Sequence, residues 1–191
     1  MRSLSVLVAA GALALAGCIG VEAEIEVLGA DSARMAGVLQ MQRGIYEMAG
    51  GEIEFCGEGE DGVLELTDAN AICRFEMTGS FDDLFGDDDP DPGALPAGIA
   101  LIAEGVARVT IPLTDLTDDS SDMLDDPAML DMVRPMFAGY EIAFVVRGAE
   151  ILESNGTIAD DRRSARFAMP IVDLLDPDLA PPDAFVTDLR F

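Results

Sequence analysis

The segment Val21-Glu-Ala-Glu-Ile-Glu-Val27 alternates apolar and acidic residues without a break. Only an extended strand sends every second side chain to the same face, so this run predicts a strand with one buried and one charged side. A sheet that starts this way needs something to cover its apolar face. Asp31 is a candidate N-cap, and Met35, Val38, Leu39, Ile45, Tyr46 and Met48 then recur at helical spacing, with Gly50-Gly51 as the stop. Short strands are predicted over 53–56, 63–66 and 72–77. Residues 81–98 form an acidic, Pro-rich stretch read as a loop, because prolines and clustered acids interrupt any regular element. Strands are predicted over 99–103 and 106–111. Asp126-Pro127 reads as the cap and first position of a second Met-containing helix, with Met129, Leu130, Val133 and Met136, limited by Pro135. A strand over 140–146, a hairpin over 150–158 turning on Asn155-Gly156, and strands over 165–171 and 185–189 complete the chain. Strand, helix and strands thus occur twice. The expected fold class is α+β, one domain over 21–191 with an antiparallel sheet and two helices packed on one face.

Ahead of this domain, Met1-Arg2-Ser3 precedes an apolar run from Leu4 to Ala16 that ends in Gly17-Cys18. A positive start, a short apolar stretch and small residues before a cut describe a secretory signal peptide over 1–17. A membrane-crossing helix needs about 20 apolar residues, and this run stops short of that. Leu15-Ala16-Gly17-Cys18 resembles the lipobox of bacterial lipoproteins. That resemblance implies cleavage after Gly17 and diacylglycerol on the Cys18 thiol, with palmitate-type chains anchoring the protein in a membrane. It also implies a tether of only 18–20 before the first strand, spanning about 10 Å. The domain would then rest against the bilayer, with a membrane-proximal face poor in Asp and Glu. Ile19 replaces the Asp that signals inner-membrane retention in enteric bacteria, which favours the outer membrane, facing the periplasm.

The chain holds three cysteines, and in an oxidising compartment an odd thiol is a liability. With Cys18 lipidated, Cys56 and Cys73 remain as a pair. A structural disulfide between them is worth roughly 3 kcal/mol by loop entropy. The redox alternative lacks CxxC spacing, and only Arg74 stands nearby to lower a thiol pKa.

Charge and missing residue types exclude several functions. Acidic residues number 37 against 11 basic ones, every one an Arg, for a net charge of −26. Such a surface repels nucleic acid, whose binding rests on cations displacing phosphate counterions. With no His, the chain has no Ser-His-Asp or Cys-His pair and no imidazole metal ligand. With no Lys, it has neither Schiff-base chemistry nor a P-loop. No cofactor is expected. Enzymes built on carboxylates alone stay open.

Cys18 leading directly into Val21–Val27, a Met-rich helix, the Asn155-Gly156 hairpin and then Arg166-Phe-Ala-Met-Pro-Ile171 together resemble small lipoproteins with an LppM-like domain. That resemblance implies a compact α+β domain associated with lipid or glycolipid in the envelope. The cysteine pair and the strong acidity depart from it.

Three further groups are candidate sites. Asp87, Asp89 and Asp91 alternate like the opening of a calcium loop, but the sixth and twelfth positions hold Pro92 and Gly98 where an EF-hand needs Gly and Glu. They offer at most weak calcium binding and otherwise a solvated acidic loop. Arg162, Arg163 and Arg166 cluster beside Asp160-Asp161, which reads either as local ion pairing or as a phosphate or headgroup contact. The methionines read as core, or as the lining of an apolar pocket between two helices and the sheet. The leading expectation is a membrane-anchored, non-enzymatic binding or scaffolding module, whose expected partners are the membrane, through the lipid on Cys18, and either an envelope protein or a lipid ligand. The alternative is a lipid or glycolipid carrier, and a carboxylate hydrolase is the third class.

Overall fold

The computed structural model describes residues 19–48, 56, 62–85, 97–114, 134–135, 137–174, 176 and 181–191. Their backbone is mostly strand. In chain order the elements are β1 (Ile19–Val27), β2 (Ser32–Gln42), α1 (Arg43–Met48), β3 (Gly62–Leu66), β4 (Asn70–Ser80), α2 (Phe81–Phe85), β5 (Gly98–Ala103), β6 (Val106–Pro112), β7 (Glu141–Arg147), β8 (Glu150–Ser154), β9 (Thr157–Ile158), β10 (Ser164–Pro170), α3 (Ile171–Leu174) and β11 (Ala184–Arg190). A long sheet runs β3-β4-β2-β1-β7-β10-β9, and a short one runs β5-β6-β11-β8. Neighbours pair antiparallel except β1 and β7, which run parallel.

The expected α+β class, with two helices packed on one face of a sheet, is overturned: the cover is a second sheet. The inward residues of β1 and β7 (Ala23, Ile25, Val27, Phe144 and Val146) pack against Val109 and Ile111 of β6 and Phe185 and Leu189 of β11. Both β6 and β11 bury alternate residues completely, which makes the short sheet an apolar layer in its own right. Phe185 stacks on Phe167 of β10, with ring centroids 5.9 Å apart.

The helix expected from Asp31 to Met48 is a strand over most of its length. Residues 32–42 pair with β1 on one side and β4 on the other, and only Arg43–Met48 is helical. Met35, Val38 and Leu39 satisfy helical spacing, but Ala33, Met35 and Met41 lie inward at period two, and all three are buried. Tertiary pairing along the whole of β2 decided between the two periods. Asp31 sits in the β1–β2 turn and accepts from Phe81 N. The helix expected after Asp126 lies outside the described residues, apart from a short helical stretch at Arg134, Pro135 and Phe137. A pocket between two Met-rich helices and the sheet loses its basis, since the first of those helices is β2 and the short sheet fills the space above β1 and β7.

Two smaller expectations change as well. The start of the 81–98 loop is the helix α2, closed by a capping box: Ser80 Oγ accepts from Asp83 N at 3.1 Å, and Asp83 Oδ2 accepts from Ser80 N at 3.3 Å. Asn155-Gly156 joins two sheets instead of two paired strands, because β8 pairs with β11 and β9 with β10. Asn155 holds this crossover in place by donating to Ala184 O and accepting from Val186 N, both at 2.8 Å. A Cβ on Gly156 would stand 2.7 Å from Arg166 O, so glycine serves here for close approach.

Candidate functional site

Cys18 lies outside the described residues, but Ile19, next to it, is already in β1 and pairs with Met41. The registers place Gln42, Asn70, Leu66, Glu141 and Pro170 at this same end of the long sheet. The connections leaving it (α1, the 137–140 turn and α3) meet in one small cluster. Phe137 and Ile171 are buried there, with Ile45, Tyr140 and Val172 packed around them. Tyr140 donates its hydroxyl to Asn70 Oδ1 at 3.1 Å, tying the turn to β4. Beyond the cluster, Met48 is 89% exposed and Leu66 46%. The expectation of few acids at this end is not met. Glu47, Asp68, Asp173 and Asp176 stand there with Arg43 and Arg134, and Arg43 Nε bonds Glu47 at 2.7 Å. A shallow cleft runs between Arg134, Pro135, Ala138 and α3.

The opposite end of β1 lies roughly 27 Å away at about 3.3 Å per strand residue. There the structure places two of the three arginines singled out above, in different surroundings. Arg162 has a left-handed backbone, φ 55°, and its Nη2 donates to Ile151 O at 2.6 Å and Leu152 O at 3.1 Å. It ties its loop to the rim of β8. Arg163 lines an open cleft of about 400 Å³ with Glu26, Arg147 and Phe191. Arg166 instead lies on the outer face of the long sheet, paired with Glu141 and Glu22. The three guanidinium groups therefore do not converge.

The outer face of the long sheet carries a group of ion pairs. The acidic side of β1 meets arginines of the neighbouring strands: Glu24 pairs with Arg34 and Arg147, and Glu26 with Arg34 at 2.8 Å. The hydrogen bond to Glu24 raises the pKa of Arg147, keeping it charged. On the short sheet Arg108 holds Asp188 in a fork of 2.7 and 2.8 Å bonds, which lowers the carboxyl pKa. Asp83 is lowered likewise, by its hydrogen bonds to Ser80. Both carboxylates are held ionised by their partners.

Cys56 and Cys73 are joined in a disulfide with Cα atoms 5.3 Å apart. Cys73 is buried beside Met41, Tyr46 and Ala71, so the bond staples the segment ahead of β3 to the inner face of β4. Asp87, Asp89 and Asp91 lie outside the described residues. Among the described residues, no group of three or more acids or cysteines is placed to hold a metal ion. No helix among them is long and apolar enough to cross a membrane.

Sequence reasoning passed over Met48 as a surface group because it continued an apolar helical pattern. The break after Gln42 was the missing signal. No family model and no curated protein matches the sequence. Among solved structures, the folded domain of the LppM protein of Mycobacterium tuberculosis, determined by NMR, is similar to it at 10% identity and a TM-score of 0.49, over 91% of this chain and 90% of that one.

Proposed function

We propose that this chain is a lipid-anchored module of the cell envelope, held to the membrane through Cys18 and acting by binding or scaffolding instead of catalysis. The observation that carries the reading is the junction at Cys18-Ile19. A lipobox cysteine ends the signal-like run, and the next residue already belongs to β1. Acyl chains on that sulfur would hold the sheet directly at the bilayer, since two or more chains give stable anchoring. The disulfide supports an oxidising compartment, and Ile19 in place of Asp favours the outer membrane with the domain facing the periplasm. The lack of His and Lys supports a non-catalytic role, since it removes imidazole and Schiff-base chemistry.

The intact mass of native protein tests the anchor. A first residue at Cys18 carrying diacylglycerol is the expected result, and Cys18→Ser should move the protein from the membrane to the soluble fraction. An unacylated mature protein starting elsewhere, or a Cys18→Ser protein that still fractionates with membranes, overturns the reading.

A further inference from the structure

We infer that α1 is a second membrane contact beside the lipid anchor, with Met48 seated at the boundary between headgroups and acyl chains of the leaflet that holds Cys18. This rests on the anchored reading above. One peptide link joins Cys18 to Ile19, so their Cα atoms are about 3.8 Å apart. Ile19 pairs with Met41, and α1 starts two residues later at Arg43. The helix is only about 9 Å long, so its far end stays near the anchor.

The chemistry of α1 suits that position. Tyr46 is buried in the cluster beside the disulfide, and Ile45 packs both there and against Phe137 and Ile171. The helix is thus fixed to the domain on its inner side. Arg43 and Glu47 pair with one another, leaving no net charge on it. At its C-terminal end Met48 is more exposed, at 89%, than Leu28, Val63, Leu101 or Ile102 elsewhere on the surface. A flexible, polarizable apolar side chain in that place fits a disordered apolar boundary. Leu66, 46% exposed at the same end, widens the apolar contact. Asp68, Asp173 and Asp176 limit its depth, since carboxylates stay among the hydrated headgroups. The contact should therefore be shallow and should suit zwitterionic lipid better than anionic lipid.

The chain contains no Trp, which makes a single introduced tryptophan a clean reporter. Lipidated full-length protein carrying Met48→Trp would be mixed with phosphatidylcholine vesicles with and without brominated acyl chains. Leu28→Trp, at the far end of β1, serves as the counterpart, and Leu66→Trp reads the same end without altering α1. At a depth of roughly 5–10 Å, Met48→Trp should lose about half or more of its emission to the brominated lipid. Leu66→Trp should lose less, and Leu28→Trp should be unaffected. Equal emission from positions 48 and 28, with the protein co-floating with vesicles, overturns the contact while leaving the anchor intact. Protein that fails to co-float and shows no acyl mass on Cys18 overturns the anchor, and the contact with it.

Discussion

The long sheet has two halves that solve the same burial problem differently. Where β1, β7, β10 and β9 run, the short sheet lies across the inner face, and a cluster with Ile25, Val146, Ile111, Phe185 and Leu189 fills the gap. Where β3, β4 and β2 run, the cluster among the described residues is smaller: Met41, Tyr46 of α1, Ala71 and the disulfide-bonded Cys73. A second layer stabilises by apolar area, roughly 25 cal/mol per Å². With a smaller apolar cluster among the described residues there, a covalent link that restricts the unfolded chain carries a larger share of the stability.

The largest expected effect comes from emptying the two-layer half. Phe185→Ala removes a fully buried ring stacked on Phe167 and should cost about 3–5 kcal/mol. Chemical denaturation should show one cooperative transition at a much lower midpoint. A loss below about 1 kcal/mol would mean that this core is not what joins the sheets.

Next comes the link itself. Replacing both Cys56 and Cys73 by Ser should cost about 3 kcal/mol for a sequence separation of 17. Hydrogen exchange should show β3 and the β4 residues beside it losing protection first, while β6 and β11 stay closed. Uniform loss across both sheets would erase the proposed contrast between the halves.

The smallest effect is electrostatic. Asp188 has its pKa lowered mainly by its hydrogen bond to Arg108, so the pair contributes above the ordinary carboxylate range, and its contribution disappears as pH falls through the lowered folded value. Arg108 is half exposed, so solvent screening keeps the gain small. Asp188→Asn should flatten the acid limb of thermal stability slightly and leave the neutral midpoint lower by that small amount. An unchanged acid limb would show the pair to be neutral.

Much of the strand content was legible in the residues. Val21–Val27, 63–66, 72–77, 99–103 and 106–111 all carry an extended pattern, and all lie in strands. The segment over 32–42 failed for a specific reason. Apolar residues also stand at its outward positions, Ala36 and Val38, so the period-two alternation is blurred and the helical spacing of Met35, Val38 and Leu39 stands out instead. Asn155-Gly156 failed for another: the dipeptide marks a reversal, but which strands it joins depends on partners about 30 residues away, Ala184 and Val186. Of the candidate site, the Cys56–Cys73 pair was visible from parity, whereas the exposure of Met48 at the end of α1 was not, because the residues before it were read as a longer helix.

Residue pattern alone determined the local chemistry: a pair of cysteines left to join, an acidic chain without His or Lys, and strands with one apolar face. Only tertiary structure decided what lies over those faces, since a period-two pattern says that one side is buried without saying by what. It also decided where the arginines point and that α1 stands at the Cys18 end. Register and layer order arise from contacts between strands far apart in the chain, and no local window of sequence contains them.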